Sequence, residues 1–430
     1  MAYYTSGLEL EQFLIDEKGK INFGAERVLH RLRRKYPNYH YQKEVGRNML
    51  EFGSEPGKDV SSTLRSMLHE LDDAIALIKG MKLKLYPFAT YPGEYDPEIR
   101  TNVWYELKKK ILGEQEFKMS GMCTGFHFHF SLPHKSFDSK SKFILISKDN
   151  LQNQKMVSSY NLLIAADPVL TTLTQSSPYI QGKFLAKDSR MLYYRGGEHL
   201  NYEGLYSKFQ LFGGLQGYIN TIHDIVERVE RRYLIWKSAL LAHGFDSGLI
   251  RRYGRKLDYS WNPVKVNKHG TFEQRGMDAN LPTYIAGAAL IVQRMLQKVY
   301  DENITIQPSI AGIKEPFKLE GNTLFVPPAD KVLKEYQVFS ATEGLDNKEI
   351  LNYTKALYKF VLPEIKPKEK RLLGRVQKMI RTKKTMSDLL TGSAKKEGLR
   401  KRLSQKESAL LANRWSSMLE KDIEVLKRWL

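Results

Sequence analysis

The sequence lacks the features of an exported or membrane-spanning protein. Its 430 residues include one cysteine, Cys123, which excludes an internal disulfide and is typical of a reducing compartment. There is no run of about 18 apolar residues, so we expect no transmembrane helix. The N-terminal residues also lack the basic region and apolar stretch of a secretory signal. These absences predict a cytoplasmic protein that does not insert into a membrane.

The two common nucleotide-binding loops are also missing. The segment GSEPGKD at 53–59 contains Gly-Lys but lacks the spacing and the trailing Ser or Thr of a phosphate-binding loop. No G-x-G-x-x-G follows a strand to open a helix, so a Rossmann site is not supported. If a nucleotide binds, it must therefore be held by acidic side chains and metal ions on a sheet.

Positive charge is abundant but unevenly distributed. The formal net charge is +20, and residues 366–430 hold 19 Lys and Arg against 7 Asp and Glu. A basic segment is compatible with nucleic-acid binding, but charge runs are more often solvated helical surface. Between residues 411 and 430 the apolar side chains recur at helical spacing. We predict a basic helical C-terminal extension whose last helix docks on the protein itself or on a second subunit.

The remaining chain predicts an α+β fold with a mainly antiparallel sheet, because strands and helices mix without a regular βαβ rhythm. Period-two alternation indicates the strands and helical periodicity indicates the helices. Strands or strand-and-turn segments are predicted at 4–13, 39–53, 126–130, 270–275 and 321–329. Helices are predicted at 24–36, from 59 to about 78, and at 102–113, 167–173, 215–242, 281–300 and 347–361. The expected helix starts include Asp59 or Ser61, Asp167 with Pro168, and Asp278 or Asn280.

Three predicted strands carry pairs of polar side chains two residues apart. Because successive side chains leave opposite faces of a strand, each pair shares one face and its apolar neighbours take the other. Each strand therefore has one side suited to packing and one side rich in metal-ligating or phosphate-binding groups. The pairs are Glu9 and Glu11 in LELEQF, His127 and His129 in FHFHF, and Glu273 and Arg275 in TFEQR.

Each pair alone is weak evidence, but together they indicate a nucleotide and metal site. Carboxylates are hard oxygen ligands that suit Mg²⁺, and Mg²⁺ sites commonly bind substrate phosphates. An arginine beside a ligating glutamate can neutralise the charge of a transferring phosphoryl group. Glu44 and Glu51 add further acids, but they are seven residues apart, so a turn or bulge must intervene if both reach one site. The alternative is a zinc hydrolase in which His127 and His129 are two of the zinc ligands. Zinc would need further ligands, and the only cysteine, Cys123, is not grouped with additional histidines.

Five motifs carry a family resemblance. They are GLELEQFLID at 7–16, the pair Glu44 and Glu51, SGMCTGFHFHFSLP at 120–133, SSPYIQGKFLAKDSR at 176–190 and GTFEQRGMD at 270–278. In this order they resemble the glutamate–cysteine ligase and carboxylate–amine ligase family, within the glutamine synthetase superfamily. The resemblance covers roughly residues 5–365. We therefore expect a catalytic domain at 1–365 and place the basic extension, 366–430, outside it.

The resemblance implies a saddle-shaped sheet with helices on its convex side, and ATP with Mg²⁺ or Mn²⁺ on its concave face. It implies ATP-dependent amide formation, in which a carboxylate such as the γ-carboxylate of glutamate attacks the γ-phosphate of ATP. An amine then captures the acyl phosphate, as in glutathione biosynthesis. Such chemistry depends mostly on positioning and charge neutralisation. The exact carboxylate and amine stay open, as does the formation of a homo-oligomer.

The resemblance also implies two sets of metal ligands. The first ion is expected at Glu9, Glu44 and Glu51. The second ion, which bridges the ATP phosphates, is expected at Glu11, His127 and Glu273.

Further roles follow from the same resemblance. Arg275 matches an arginine that stabilises the transferring phosphoryl group. Arg190 resembles one that contacts substrate or the γ-phosphate, and Arg195 is its expected companion at ATP. His129 stands where family enzymes have asparagine, so we expect it behind the ligands. Asp278 is expected to orient Arg275.

A competing hypothesis is an inert ligase fold that binds nucleic acid through its basic tail. Its support is the charge of residues 366–430 together with Trp415 and Trp429. We do not favour nucleic acid as a partner, because an inert fold would not need every acid of the site.

Overall fold

The computed structural model describes residues 4–310, 313–399 and 401–430 of the chain. No helix within these ranges is long and apolar enough to span a membrane. The strands are β1 Ser6–Asp16, β2 Tyr41–Lys43, β3 Met49–Gly53, β4 Leu83–Tyr86, β5 Gly125–Ser131, β6 Phe137–Asp138, β7 Phe143–Ile144, β8 Tyr179–Ile180, β9 Lys183–Phe184, β10 Val264–Asn267, β11 Thr271–Asp278, β12 Thr305–Pro308, β13 Lys318–Glu320 and β14 Thr323–Val326. The helices are α1 Ala25–Lys35, α2 Val60–Lys79, α3 Val103–Leu112, α4 Glu114–Lys118, α5 Asn150–Thr174, α6 Ser189–Tyr194, α7 Gln210–Gly213, α8 Ile222–Ala242, α9 Ser247–Tyr253, α10 Pro282–Glu302, α11 Ala329–Lys331, α12 Gln337–Thr342, α13 Lys348–Val361, α14 Gly374–Thr382, α15 Met386–Lys396, α16 Gln405–Ser416 and α17 Met418–Trp429.

Seven strands form the main sheet. Their order is β10, β11, β5, β1, β3, β2, and β4 pairs with the C-terminal part of β1. Every pair in this sheet is antiparallel, which confirms the predicted mainly antiparallel arrangement. A parallel pair, β12 with β14, lies in a separate small sheet.

Helices cover one face of the main sheet. The apolar side chains of its strands pack against α2, α5 and α10 in one large core. Phe126, Phe128 and Phe130 of β5 point into this core and are at most 1% exposed. Because the pleat sends alternate residues to opposite sides, the polar residues between these phenylalanines lie on the other face, away from the core helices.

Several predicted helices match the structure closely. The segments expected at 24–36, 102–113 and 347–361 form α1, α3 and α13. Asp59 caps α2 as predicted, because its Oδ1 accepts a hydrogen bond from the Ser62 backbone N–H at 2.9 Å.

The prediction that a helix starts at Asp167 and Pro168 was wrong. The structure has one longer helix, α5, which begins after Asp149 and continues through Pro168. Asp149 caps the N-terminus by accepting from the Leu151 backbone N–H, whereas Asp167 forms an ion pair with Arg195. An interior proline costs about 3 kcal/mol. Burial of nearly all of the helix's C-terminal half offsets that cost.

Two other helix starts also differ from expectation. α8 begins at Ile222 and not near residue 215, because Thr221 and Asp224 form a capping box there. α10 is preceded by Leu281, with Pro282 at its first position. Asp278 does not cap it, because that residue is still the last one of β11.

The apolar stripe at 411–430 belongs to two helices, α16 and α17, with Ser417 between them. The prediction that this segment docks is confirmed on the chain's own surface, where α17 packs on α10 and α16 packs beside β4. Asp422 of α17 accepts hydrogen bonds from the Thr283 N–H at 2.8 Å and the Thr283 hydroxyl at 2.7 Å. Arg375 reaches the same carboxylate at 3.2 Å.

Candidate functional site

The register of the main sheet brings the predicted polar pairs together on the face opposite the core helices. Glu9 of β1 lies opposite His127 of β5 on one side. Glu11 lies opposite Glu51 of β3 on the other side. Glu273 of β11 lies opposite His129, the second histidine of β5. The three polar pairs and Glu51 therefore form one continuous surface across four neighbouring strands.

Glu44 reaches this surface from a loop. β2 ends at Lys43 and β3 begins at Met49, so Glu44 follows the end of β2 in the connection between the two strands. The expected turn between Glu44 and Glu51 is therefore present, and it removes the parity problem of a seven-residue spacing.

Three groups of side chains lie close enough to share a cation. Within each group the ligand atoms are within 4.8 Å of one another. The groups are Glu11, Glu44 and Glu51; Glu9, Glu51 and His127; and Glu9, His129 and Glu273.

These groups overlap the two ligand sets implied by the family resemblance but do not coincide with them. Glu9 shares a group with Glu51, and His127 lies 3.6 Å from Glu11 and 3.8 Å from Glu273. Glu44 and Glu51 come together with Glu11, where Glu9 was expected, because Glu11 and Glu51 are direct cross-strand partners. His129, expected behind the ligands, joins Glu9 and Glu273 directly.

The two histidines point toward the acids. His127 is 3% exposed, and its Nδ1 forms a hydrogen bond with Glu9 Oε2 at 3.0 Å. Nδ1 of His129 forms a hydrogen bond with the Thr271 hydroxyl at 3.0 Å. Both Nε2 atoms are buried without a hydrogen-bond partner among the described residues. Nε2 of His129 nevertheless lies 3.3 Å from Glu9 Oε2, and Nε2 of His127 lies 3.6 Å from Glu11 Oε1. Both nitrogens therefore face carboxylates, as the ligands of a shared metal ion would.

Burial and crowding separate the pKa values of the acids. Burial, with repulsion from Glu44, raises the pKa of Glu11 to about 8. Burial raises the pKa of Glu51 well above its usual range, with repulsion from Glu9 and Glu44 adding to it. Burial would also raise the pKa of Glu9, but attraction to His129 and a hydrogen bond with His127 hold it well below its usual range.

This electrostatic state fits a divalent cation. When buried carboxylates lie close together, their mutual repulsion disfavours ionisation. A bound cation reduces this repulsion and favours the ionised form. Carboxylate oxygens with one or two imidazoles suit Mg²⁺ or Mn²⁺, whose preferred ligands are hard. Glu9, Glu11, Glu44, Glu51 and His127 therefore have the chemistry of a metal site.

Glu273, which is buried, and Arg275, which is partly buried, form an ion pair at the edge of the acids. Arg275 Nη1 lies 3.0 Å from Glu273 Oε1. Burial would raise the pKa of Glu273, but the positive charges of Arg275 and Lys265 lower it strongly. The arginine therefore favours the ionised form of Glu273, and both side chains line the cleft.

Arg190 lies beneath this pair. Its Nη1 donates to the Gly276 carbonyl at 3.1 Å, while its Nε has no partner among the described residues. Gly125 leaves room for this guanidinium, since a Cβ there would come within 2.4 Å of Arg190 Nη2. The Gly125 N–H in turn donates to Glu11 Oε2 at 2.6 Å, which fixes one end of that carboxylate.

Two expected roles do not match the contacts. Arg195 forms a two-pronged ion pair with Asp167, with N–O distances of 2.6 and 3.0 Å, and also donates to Gln337. Its guanidinium is thus occupied within the fold, away from the acids. Asp278, expected to orient Arg275, instead accepts from the Ser176 N–H and the Ser177 hydroxyl.

Glu9, Glu44, Glu51 and Glu273 line a cleft of about 410 Å³ that also contains residues the sequence analysis missed. Lys265 of β10 is directly opposite Glu273 in the sheet, with its Nζ 3.9 Å from that carboxylate. The alternation in VKVN was the signal that could have placed Lys265 on the polar face. Trp104 and Trp261 form an aromatic wall of the cleft, and no sequence pattern pointed to them.

Comparison with solved structures identifies the class of fold. The glutamate–cysteine ligase from Francisella tularensis, in complex with AMP, matches with a TM-score of 0.58 and 12% identity, over 100% of this chain and 92% of that one. A bifunctional glutathione synthetase from Pasteurella multocida matches with a TM-score of 0.56 and 14% identity, over 97% of this chain and 52% of that one. The chain thus spans about half the length of the second enzyme. Its fold is that of a glutamate–cysteine ligase.

The family follows from the sequence comparison. A family model described as glutamate-cysteine ligase family 2 (GCS2) matches residues 5–305. The chain belongs to this family. A search of curated proteins finds no match.

Proposed function

We propose that the chain is an ATP-dependent carboxylate–amine ligase that resembles glutamate–cysteine ligase and forms a γ-glutamyl or related amide bond. The observation that carries the proposal is the convergence of Glu9, Glu11, Glu51, His127 and Glu273 on one face of the sheet. Family membership and the cleft beside these residues support it.

ATP and a divalent cation are the proposed cofactors. The solved Francisella ligase was crystallised with AMP, which supports nucleotide use by a protein of this fold. Glu9, Glu11, Glu44, Glu51 and His127 would hold Mg²⁺ or Mn²⁺. When bound, such ions neutralise phosphate charge and orient the γ-phosphate for transfer.

The proposed reaction has two steps. An oxygen of the substrate carboxylate forms a bond to the γ-phosphorus, and the bond to the bridging oxygen of ADP breaks. The amine nitrogen then bonds to the acyl carbon, inorganic phosphate leaves, and the nitrogen loses a proton. Arg275 would stabilise the negative charge of the transferring phosphoryl group, and Glu273 holds its guanidinium in place.

Arg190 is the second proposed arginine of the reaction. Its buried position under the Gly276 carbonyl and its free Nε support a role in holding substrate or Arg275. Arg195 is better explained as a structural residue, because Asp167 and Gln337 occupy it.

The finer architecture is part of the same proposal. We infer a saddle-shaped sheet, a catalytic unit at 1–365 and an accessory basic extension at 366–430. The nucleic-acid alternative is less favoured, because the last two helices of the extension pack on the chain itself and bury Leu411, Trp415 and Leu426.

The test is phosphate release from ATP with pairs of carboxylates and amines. We expect release only when ATP, a carboxylate and an amine are all present, with glutamate and cysteine as the first pair. Glu11→Gln and Glu273→Gln should lower kcat by at least about 100-fold while folding is retained. Glu17→Gln is the matched control, because Glu17 is exposed just beyond the end of β1. Full activity of Glu273→Gln, or release without an amine, would contradict the proposal.

A further inference from the structure

A second cavity, of about 750 Å³, lies apart from the cleft that holds the acids. It is formed between α13 and the edge strand β13 of the small sheet, with Lys298 of α10 at its border. None of the described residues that line it also lines the acidic cleft. All of them except Lys298 lie beyond residue 305, where the match to the family model ends. The proposed ligase function therefore assigns no role to this cavity.

Stacked aromatic rings form the floor of the cavity. The four rings, each at most 7% exposed, belong to Phe317, Tyr336, Tyr353 and Phe360. The ring centres of Phe317 and Tyr353 are 4.9 Å apart with an interplanar angle of 27°, and that of Tyr336 is 4.5 Å from that of Tyr353. A floor of this kind suits a planar apolar group. Cavities of this size, lined by aromatic rings and a few polar groups, are typical of sites for small molecules.

Two lysines of α13 supply unpaired positive charge at this cavity. Lys355 and Lys359 are one helical turn apart and exposed, and neither forms an ion pair with the residues the structure describes. Like charges at this spacing repel each other slightly. The other two lysines of the cavity, Lys298 and Lys318, are already paired with glutamates. The positive charge that is available to an anion is therefore concentrated on one turn of α13.

The acids of the cavity do not neutralise this turn. Glu349 pairs with Lys331 at 3.0 Å, outside the turn. Glu315 lies on the opposite wall and forms no ion pair with Lys355 or Lys359. A bound anion would reduce the repulsion between the two lysines, while an apolar group attached to it covered the aromatic floor.

We propose that this cavity is a second binding site, which takes a small molecule with a planar apolar group and an anionic group. The planar group would lie on the rings of Phe317 and Tyr353, and the anionic group would bind Lys355 and Lys359. A polyphosphate fits less well, because such groups are commonly held by arginines or metal ions and no arginine is among the described residues that line the cavity. The site does not depend on the proposed ligase function.

Calorimetric titration of the full chain tests the site with probes of the proposed chemistry. The probes are 2-naphthoate and 1-anilinonaphthalene-8-sulfonate as planar anions, and 2-naphthylmethanol as a neutral analogue. We expect the wild type to bind at least one anion with a Kd below about 1 mM. The double variant Lys355→Met/Lys359→Met should bind it about tenfold more weakly and bind the neutral analogue unchanged. Lys348→Met/Lys368→Met loses the same charge from exposed lysines outside the cavity and should behave as the wild type.

Two further variants locate the probe. Ala356→Phe adds a ring to the lining of the cavity and should weaken binding of the anions and of the neutral analogue. Glu273→Gln changes the acidic cleft and should leave probe binding unchanged. Loss of binding in Glu273→Gln would place the probe in the acidic cleft and overturn the inference, whatever the outcome of the ligase assay.

Other results would also overturn the inference. They are failure of the wild type to bind either anion, and equal affinity of the wild type and Lys355→Met/Lys359→Met. An equal loss in the two double variants would mean that net charge, and not the cavity, attracts the probe. Affinity that falls as the protein concentration rises would mean that a second copy of the chain occupies the cavity.

Discussion

Replacement of Lys108 with methionine should stabilise the protein. Burial, with repulsion from Arg275, lowers the pKa of Lys108 from 10.5 to about 7. At about 1.4 kcal/mol for each pH unit, this difference destabilises the fold by about 5 kcal/mol while the amine is charged. The contact with Trp261 returns at most about 2 kcal/mol. Methionine has a similar shape and no charge, so we expect a net gain of about 3 kcal/mol in the free energy of unfolding.

The gain should depend on pH, with a definite sign. Between about pH 7 and pH 10.5 the unfolded chain keeps the Lys108 proton that the folded protein has lost. The unfolded state therefore binds more protons there, and the stability contributed by this residue rises with pH. The advantage of Lys108→Met should be full below about pH 7 and should vanish near pH 10.5.

Urea unfolding of wild type, Lys108→Met and Lys110→Met at pH 6, 8 and 10 measures this dependence. Lys110 is exposed, so its variant should stay within about 0.5 kcal/mol of wild type at each pH. A Lys108→Met protein less stable than wild type at pH 6 would refute the reasoning, and so would a difference that does not change with pH. Either result would mean that the ammonium group has a counter-charge within the folded chain.

Three further predictions concern the acids, a buried ion pair and the C-terminal extension. Mg²⁺ at about 100 times its dissociation constant should raise the wild-type free energy of unfolding by about 2.7 kcal/mol, and that of Glu51→Gln by less. The same rise in both proteins, measured by calorimetry, would contradict the metal site. In urea unfolding, Arg195→Met should cost about 3–5 kcal/mol because it leaves Asp167 buried and unpaired, whereas Arg47→Met, in an exposed pair, should cost less than about 1 kcal/mol. Equal losses of stability in Arg195→Met and Arg47→Met would contradict the stabilising role of the buried pair. Asp422→Ala should cost about 2–4 kcal/mol, since buried donors lose their acceptor; a change below about 0.5 kcal/mol would show that the extension is not held there.

The sheet and its polar face could be predicted because they depend on local alternation. Glu9 and Glu11 share a face for the same reason that His127 and His129 do, and that reason is the two-residue period of a strand. The grouping of the ligands could not be predicted in the same way. It depends on the pairing of Glu11 with Glu51, which is a property of register between strands and not of either strand alone.

Tertiary contacts account for the other differences. Asp167 resembles a helix cap in the sequence, but its partner Arg195 follows α6, 28 residues later in the chain, and cannot be inferred from spacing. Lys108 is one of three consecutive lysines, and the aromatic rings packed around it, Trp261 among them, distinguish it from its exposed neighbour Lys110. Long-range packing, which has no periodic signature, decided these positions.

Binding of Mn²⁺ in the presence of a non-hydrolysable ATP analogue tests the central idea most directly, because it asks whether the assembled carboxylates bind cations beside a nucleotide. Titration followed by electron paramagnetic resonance should show nucleotide-dependent binding by the wild type and by Glu17→Gln. Glu11→Gln should bind at least about tenfold more weakly. Equal Mn²⁺ affinity of Glu11→Gln and wild type would contradict the account. Mn²⁺ binding of the same strength with and without the nucleotide would also contradict it.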